Sequence, residues 1–349
     1  MKKKIKYIGL ALLLLLLLLI VAFLAMKTFG QSAMLGKSDK TVEMTAPENE
    51  EVVLEDDGIA ITYKGEKYIY NENITSVLCM GVDKDDIDEG TEEIGNSGQA
   101  DMLMLAILDV ESGEVNLWNI SRDSMTDVDI YNVNGEYVRT ETAQACLAYA
   151  YGDGKHSSCE NVVKSVSRLL YGMPIQSYAV IDLDAVIPLS DAVGGVEVTI
   201  HEEDVLPPHL KAKAGQSVLL KGADVEAYVR YRLTETSADR VDSNNNRMAR
   251  QKQFMINFIH KALQKTKEDI STPVNLFAIA MKDDHMITNL NASKVAYLAT
   301  VASKVNFSEE SFQTIPGEVI AGEEHPEYHV DDEVLYQMIL DTFYVKQVQ

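Results

Sequence analysis

The feature that most constrains this chain is its first 26 residues. Lys2, Lys3, Lys4 and Lys6 precede an unbroken apolar run from Ile8 to Met26. As a helix rising 1.5 Å per residue, that run reaches about 28 Å, close to the thickness of a bilayer's hydrocarbon core. A cleaved secretion signal would carry an apolar region of about 7–15 residues with a small-x-small site behind it. Here the run is longer, and only a poor site follows between Gly30 and Ala33. It therefore reads as an uncleaved anchor. The lysines lie on its N-terminal side, which leaves the N-terminus in the cytoplasm and sends the rest of the chain out of the cell. The expected layout is single-pass: residues 1–7 cytoplasmic, 8–26 in the membrane, 27–58 an acidic extracellular tether and 59–349 an extracellular domain.

Charge narrows the partners of that domain. Acidic residues outnumber basic ones 54 to 31, for a net charge of −23. A chain this acidic lacks the broad basic face that nucleic acid requires, so no nucleic-acid partner is expected. It would also repel anionic phosphate polymers unless a few cations converge on one place. Cysteines are few: Cys79, Cys146 and Cys159, with no CxxC pair, which argues against a zinc ribbon or a thioredoxin-type site. Cys79 sits in the apolar stretch TSVLCMGV and reads as a core residue. Cys146 and Cys159 bracket a polar loop, and an oxidising exterior favours a disulfide between them.

Periodicity gives an alternation of strands and helices. AITYKGEKYIY reads as two strands around a Lys-Gly turn, and ITSVLCMGVD as a buried central strand. DMLMLAILDV and GEVNLWNIS read as a pair joined through Glu111, Ser112 and Gly113. ETAQACLAYAYG and CENVVKSVSRLLYG have helical spacing, the second stopping at Gly172 before Pro174. SYAVIDL and VEVTI read as strands; LDAVIPLSDAVGG, KGADVEAYVRYR and the long stretch Asn246 to Lys265 read as helices. The expected fold class is α/β with an α+β character, a mixed twisted sheet flanked by helices.

Two sets of residues carry chemistry. Asp83 follows one expected strand and Asp101 begins the next, so the pair could hold a hard cation through oxygen ligands, although acids at strand ends are common as solvated turn residues. Arg122 follows a strand in WNISRDS. Arg230 and Arg232 alternate in YVRYR, and Arg247, Arg250 and Gln251 open the long helix behind Asn244–Asn246, which can cap it. A guanidinium fork binds two phosphate oxygens at once, and a helix N-terminus adds donors. Singly, each arginine reads as a surface ion-pairing residue. The chain has no GxSxG, HExxH, Walker or GxGxxG motif, and its histidines are scattered, with only His325 and His329 at metal spacing, in a polar turn.

Taken in order, LCMGVD, QADMLML, WNISRDS, LAYAYGDG, YGMPIQSYAVIDL, LSDAVGGVEV, KGADVEAYVRYR, RMARQKQF and EYHVDDEVLYQMILDTF are similar to the LytR-CpsA-Psr family of cell-wall glycopolymer transferases. The resemblance covers roughly residues 70–345. It implies an enzyme that takes a glycopolymer from undecaprenyl diphosphate and joins it through a phosphodiester to a peptidoglycan sugar hydroxyl. By the same resemblance Asp83 and Asp101 would hold Mg2+, and Arg122, Arg230, Arg232, Arg247 and Gln251 would grip the diphosphate, with Arg250 in the same motif. Asp101 or Asp123 would accept the hydroxyl's proton. Departures are visible: Asp85 and Gln99 stand where the family usually has arginine, and Gln144 and Cys146 where it has lysine and asparagine. Those losses leave a second reading, a non-catalytic polyprenyl-diphosphate binder or wall scaffold.

Overall fold

The computed structural model describes residues 29–35, 43–48, 51–82, 94–95, 97–182, 184–202, 204–231, 237–282, 285–322 and 325–347. The apolar run at 8–26, the tether's residues 36–42, Asp83, Asp85 and Arg232 lie outside the described residues. Among the described residues, no helix is long and apolar enough to cross a membrane.

A six-stranded mixed sheet organises the molecule. Its centre is β1 (Ile74–Val82) and β2 (Ala100–Asp109), paired antiparallel from Ile74↔Asp109 to Val82↔Ala100. β3 (Val115–Ile120) continues antiparallel beside β2. The turn between them forms because the Asp109 carboxylate accepts from the Glu111 and Ser112 amides at 2.8 and 3.1 Å, while Gly113 takes φ +77°. β4 (Ser177–Ile181) lies parallel to β1, β5 (Met286–Thr288) antiparallel to β4, and β6 (Phe312–Thr314) parallel to β3. The spatial order is β5-β4-β1-β2-β3-β6.

The central strands are apolar on both sides because both faces are covered. Leu78, Met80, Leu103, Leu105 and Trp118 share one core with α1 (His156–Leu169) and α5 (Asp332–Phe343). Met104, Leu117 and Cys79 face Met255, Ile256 and Ile259 of α3 (Ser237–Glu268). A smaller core joins the two-stranded sheet of Val196–Thr199 and Ser217–Leu220 to α2 (Ala223–Arg230) and to Phe254 of α3.

Three local expectations change. The helical pattern at ETAQACLAYAYG is a strand, Tyr137–Gln144, followed by a tight 3-10 helix, Ala145–Tyr151, because Met125–Tyr131 supplies an antiparallel partner. The long helix begins at Ser237, so Asn244–Asn246 lie inside it and not at its N-terminus. Part of the expected tether is ordered against the domain. Residues 29–35 are helical, and Met34 is fully buried against Tyr297 and Val301 of α4 (Ala292–Ala302). The Met34 carbonyl accepts from Thr75 Oγ1 at 3.0 Å, and the Thr45 amide donates to the Tyr171 carbonyl at 3.1 Å.

Candidate phosphate and cation site

Strand direction gathers the site. β1, β3 and β4 end, and β2 and β5 begin, at one edge of the sheet. That rim carries Gln99, Asp101, Arg122, Asp123, Asp182 and His285. The pairing passes from Gly81↔Met102 to Val82↔Ala100, so Asp101 is the extra residue of a β-bulge. A bulge frees one residue from the ladder and re-aims its side chain. Ala100 is fully buried, while Asp101 reaches solvent.

Arg122 stands on a loop held from two sides. Its carbonyl accepts from the Cys146 amide at 3.0 Å, and the Asp123 carbonyl accepts from the Tyr328 amide at 2.9 Å. The Ser124 amide closes a turn on the Ser121 carbonyl at 3.1 Å. The guanidinium is thus presented by a fixed backbone. Its Nη1 pairs with Asp101 Oδ1, Nη2 donates to Gln99 Oε1 and, at 3.4 Å, to Cys146 Sγ, and Nε lies 3.5 Å from Asp123 Oδ1. The structure therefore places Asp101, Arg122 and Asp123 together, with Gln99 and Cys146 beside them.

The other cations form a second group around the end of α2. Arg230 lies 3.0 Å from Glu226, one turn back, and lines an open cleft of about 540 Å3 with His209, Ala227 and Tyr231. Gln251 donates through Nε2 to the Val229 carbonyl at 3.0 Å. Arg247 lies on the same helix, ten residues inside it rather than at its N-terminus, so no helix-end donors assist it. Arg250 differs from the expectation of a phosphate ligand. It is 1% exposed, and it donates to the carbonyls of Tyr228 and Tyr231 and to Asn246 Oδ1. Burial pulls its pKa down. Its donors hold the chain that leads out of α2, so it positions Arg230's neighbourhood instead of meeting a ligand.

Cys146 and Cys159 are free thiols, not a bridge. Cys159 belongs to the core under α1, whereas Cys146 is turned toward Arg122. Burial raises the pKa of both, against a weaker lowering of Cys146 by Arg122.

A pair that local spacing does not reveal lies on the same rim. His285 Nδ1 is 2.9 Å from Asp182 Oδ2, and Asp182 also accepts the Ala185 amide at 2.9 Å. The two are 103 residues apart and meet only because β5 pairs with β4.

The donor chemistry of the rim suits a hard cation. Asp101 offers carboxylate oxygen at the bulge, and Asp83 follows Val82 on the adjacent strand in sequence, although Asp83 itself is outside the described residues. Among the described residues no three His, Cys, Asp or Glu cluster as a preformed cage. One or two carboxylates completed by water and phosphate oxygens is the way magnesium is usually held, so these residues fit it.

Comparison with known proteins bears on the family and the fold. The LytR_cpsA_psr family model matches residues 32–342. The cell wall biosynthesis protein LcpA of Corynebacterium glutamicum is 25% identical over 245 residues, 67% of this chain and 45% of that protein. The polyisoprenyl-teichoic acid–peptidoglycan teichoic acid transferase TagU of Bacillus cereus is 27% identical over 197 residues, 56% of this chain and 55% of that protein. The matches thus span about half the length of these relatives. The solved structure of TagT bound to LIIa-WTA has the same fold, with TM-score 0.53 and 18% identity, covering 76% of this chain and 88% of that one.

Proposed function

This chain belongs to the LytR_cpsA_psr family, and on that premise we propose that it is a membrane-anchored extracellular phosphotransferase. It moves an anionic glycopolymer from undecaprenyl diphosphate to peptidoglycan, with residues 8–26 as its anchor. The observation that carries the reading is Arg122 fixed on a braced loop beside the bulged Asp101. A guanidinium so mounted can meet two phosphate oxygens without reorganising its backbone, which favours electrostatic stabilisation of transferred charge. The teichoic-acid transferase activity in the name of TagU supports the substrate class.

The chemistry balances without a covalent protein intermediate. The acceptor sugar's hydroxyl oxygen bonds to the phosphorus on the glycopolymer side of the diphosphate. The bond from that phosphorus to the bridging oxygen breaks, and undecaprenyl phosphate leaves with that oxygen. Asp101 or Asp123 receives the hydroxyl proton. Arg122 stabilises charge on the transferred phosphate, and Arg230, Arg232, Arg247 and Gln251 hold the leaving one. Asp83 and Asp101 would hold Mg2+, which when bound neutralises the diphosphate.

The second reading, a polyprenyl-diphosphate binder without transfer, is favoured by one observation: Asp85, Gln99, Gln144 and Cys146 stand where the family usually has arginine, arginine, lysine and asparagine. Incubating the full chain with a lipid-diphosphate-linked glycopolymer, peptidoglycan and Mg2+ separates the two. Transfer that is lost in Arg122→Ala and Asp101→Ala supports the enzyme. Lipid binding without transfer in the unaltered chain supports the binder.

A further inference from the structure

We propose that Gln99 is a positioning residue that holds Arg122 against Asp101, making the arginine a built-in counter-ion of the cation site. The inference rests on the reading above, in which Asp101 meets the cation and Arg122 the phosphate.

The geometry is a three-residue clamp. Gln99 and Asp101 flank Ala100, which is fully buried and paired with Val82. Two side-chain oxygens, one neutral and one charged, are therefore mounted at the start of the strand on either side of its buried first residue. Arg122 meets both with adjacent nitrogens: Nη1 with Asp101 Oδ1 and Nη2 with Gln99 Oε1. Cys146 Sγ takes a further contact from Nη2 at 3.4 Å, and Asp123 sits beside Nε at 3.5 Å. The guanidinium is about one-third exposed, so ligands can reach and displace it.

In this arrangement the Asp101 oxygen that meets Arg122 cannot serve the arginine and a divalent cation together. A cation arriving at Asp101 meets a guanidinium already there and must displace it. The displaced fork is then available for phosphate oxygens. Conversely, a phosphate that draws Arg122 away uncovers Asp101. The two ligands therefore favour one another, and the coupling is reciprocal by linkage. Gln99 adds no charge. Its oxygen fixes only where Arg122 rests, so it sets the cation affinity through the arginine.

The test uses the full chain in detergent micelles and titrates it with Mn2+, following free Mn2+ by electron paramagnetic resonance. Gln99→Ala should bind Mn2+ about threefold more tightly than the unaltered chain, although no charge has changed. Arg122→Lys, which keeps the charge and loses the fork, should bind it about threefold to tenfold more tightly. Asp101→Asn should lose the site. Gln99 is exposed and outside the cores, so circular dichroism should be unchanged in Gln99→Ala. If Gln99→Ala and Arg122→Lys both bind Mn2+ as the unaltered chain does, the clamp is wrong while the cation assignment stands. If no variant and not the unaltered chain binds Mn2+, the cation assignment fails and takes the clamp with it.

Discussion

Arg250 touches Tyr228 twice: its guanidinium carbon lies 5.6 Å from the ring centre, and its Nε donates to the Tyr228 carbonyl at 3.0 Å. The side chain thereby ties α3 to the last turn of α2, from whose end Arg230 projects. A buried guanidinium in this position acts on the backbone of the site.

The two arginines should accordingly separate in mutation. Arg250→Ala strands the Tyr228 and Tyr231 carbonyls and should cost about 2–4 kcal/mol of stability, read as a lower urea midpoint with unchanged slope. Arg230→Ala removes an exposed pair with Glu226 and should cost under about 1 kcal/mol. Lipid-diphosphate binding should show the reverse order, with Arg230→Ala losing roughly 10–150-fold. Lys211→Ala, in a polar loop, should leave both unchanged.

Asp129 supplies a pH dependence. Burial pushes its carboxyl up, but hydrogen bonds from Arg168, Lys164 and Thr140 outweigh that and hold it at about 2. A carboxyl with a depressed folded pKa stabilises the fold above its unfolded value, and the contribution is lost as pH falls through the folded one. The shift corresponds to about 2 kcal/mol, fully present at neutral pH and withdrawn between about pH 4 and 2. Urea midpoints of the unaltered chain and of Asp129→Asn should converge across that window. Parallel curves would show that the carboxylate contributes nothing.

The cysteines should behave as three buried or half-buried thiols. Burial pushes the Cys79 thiol up to about 11, which leaves little thiolate at neutral pH. Under native conditions all three should react slowly with a thiol reagent, and after denaturation three equivalents should appear without prior reduction. A non-reduced Cys146–Cys159 peptide in the mass spectrum would contradict this.

Much of the central sheet was legible because its strands carry unbroken apolar runs, as at VLCMGV and MLMLAIL. The edge strands were not, since β5 and β6 have three residues each and exist through their neighbours. At the site, Asp101 and Arg122 could be singled out because both sit where an apolar strand meets a polar loop. Their direct contact could not, because it depends on a bulge. Arg250 and Arg230 look alike in sequence, and only burial separates a strut from a cleft-lining cation. The bridge expected from Cys146 and Cys159 failed for the same reason: proximity in sequence does not say which way each thiol turns.

Gly30 offers a check on the docked segment. A Cβ there would lie 2.1 Å from the Ser293 carbonyl oxygen, closer than atoms tolerate. Gly30→Val should therefore unseat residues 29–35, raising their amide exchange and their cleavage by protease. The thermal midpoint of the domain should change little, because the cores around β1 and β2 are untouched. Equal protection in the two proteins would refute the docking.

That docking also limits how high the domain can stand. With the apolar run through Met26 in a bilayer, three residues separate it from Gly30, and the four Cα-to-Cα steps at about 3.6 Å each span at most about 14 Å. A loose chain through residue 58 would instead wander over roughly 30 Å on average and far more when stretched. With residues 8–26 as the proposed anchor, the seated Met34 would keep the rim of Asp101 and Arg122 at a nearly constant altitude above the lipid. Under the proposed function, substrates held at the headgroups would meet that rim at one level, and the depth of wall within reach would be set by the domain's own dimensions.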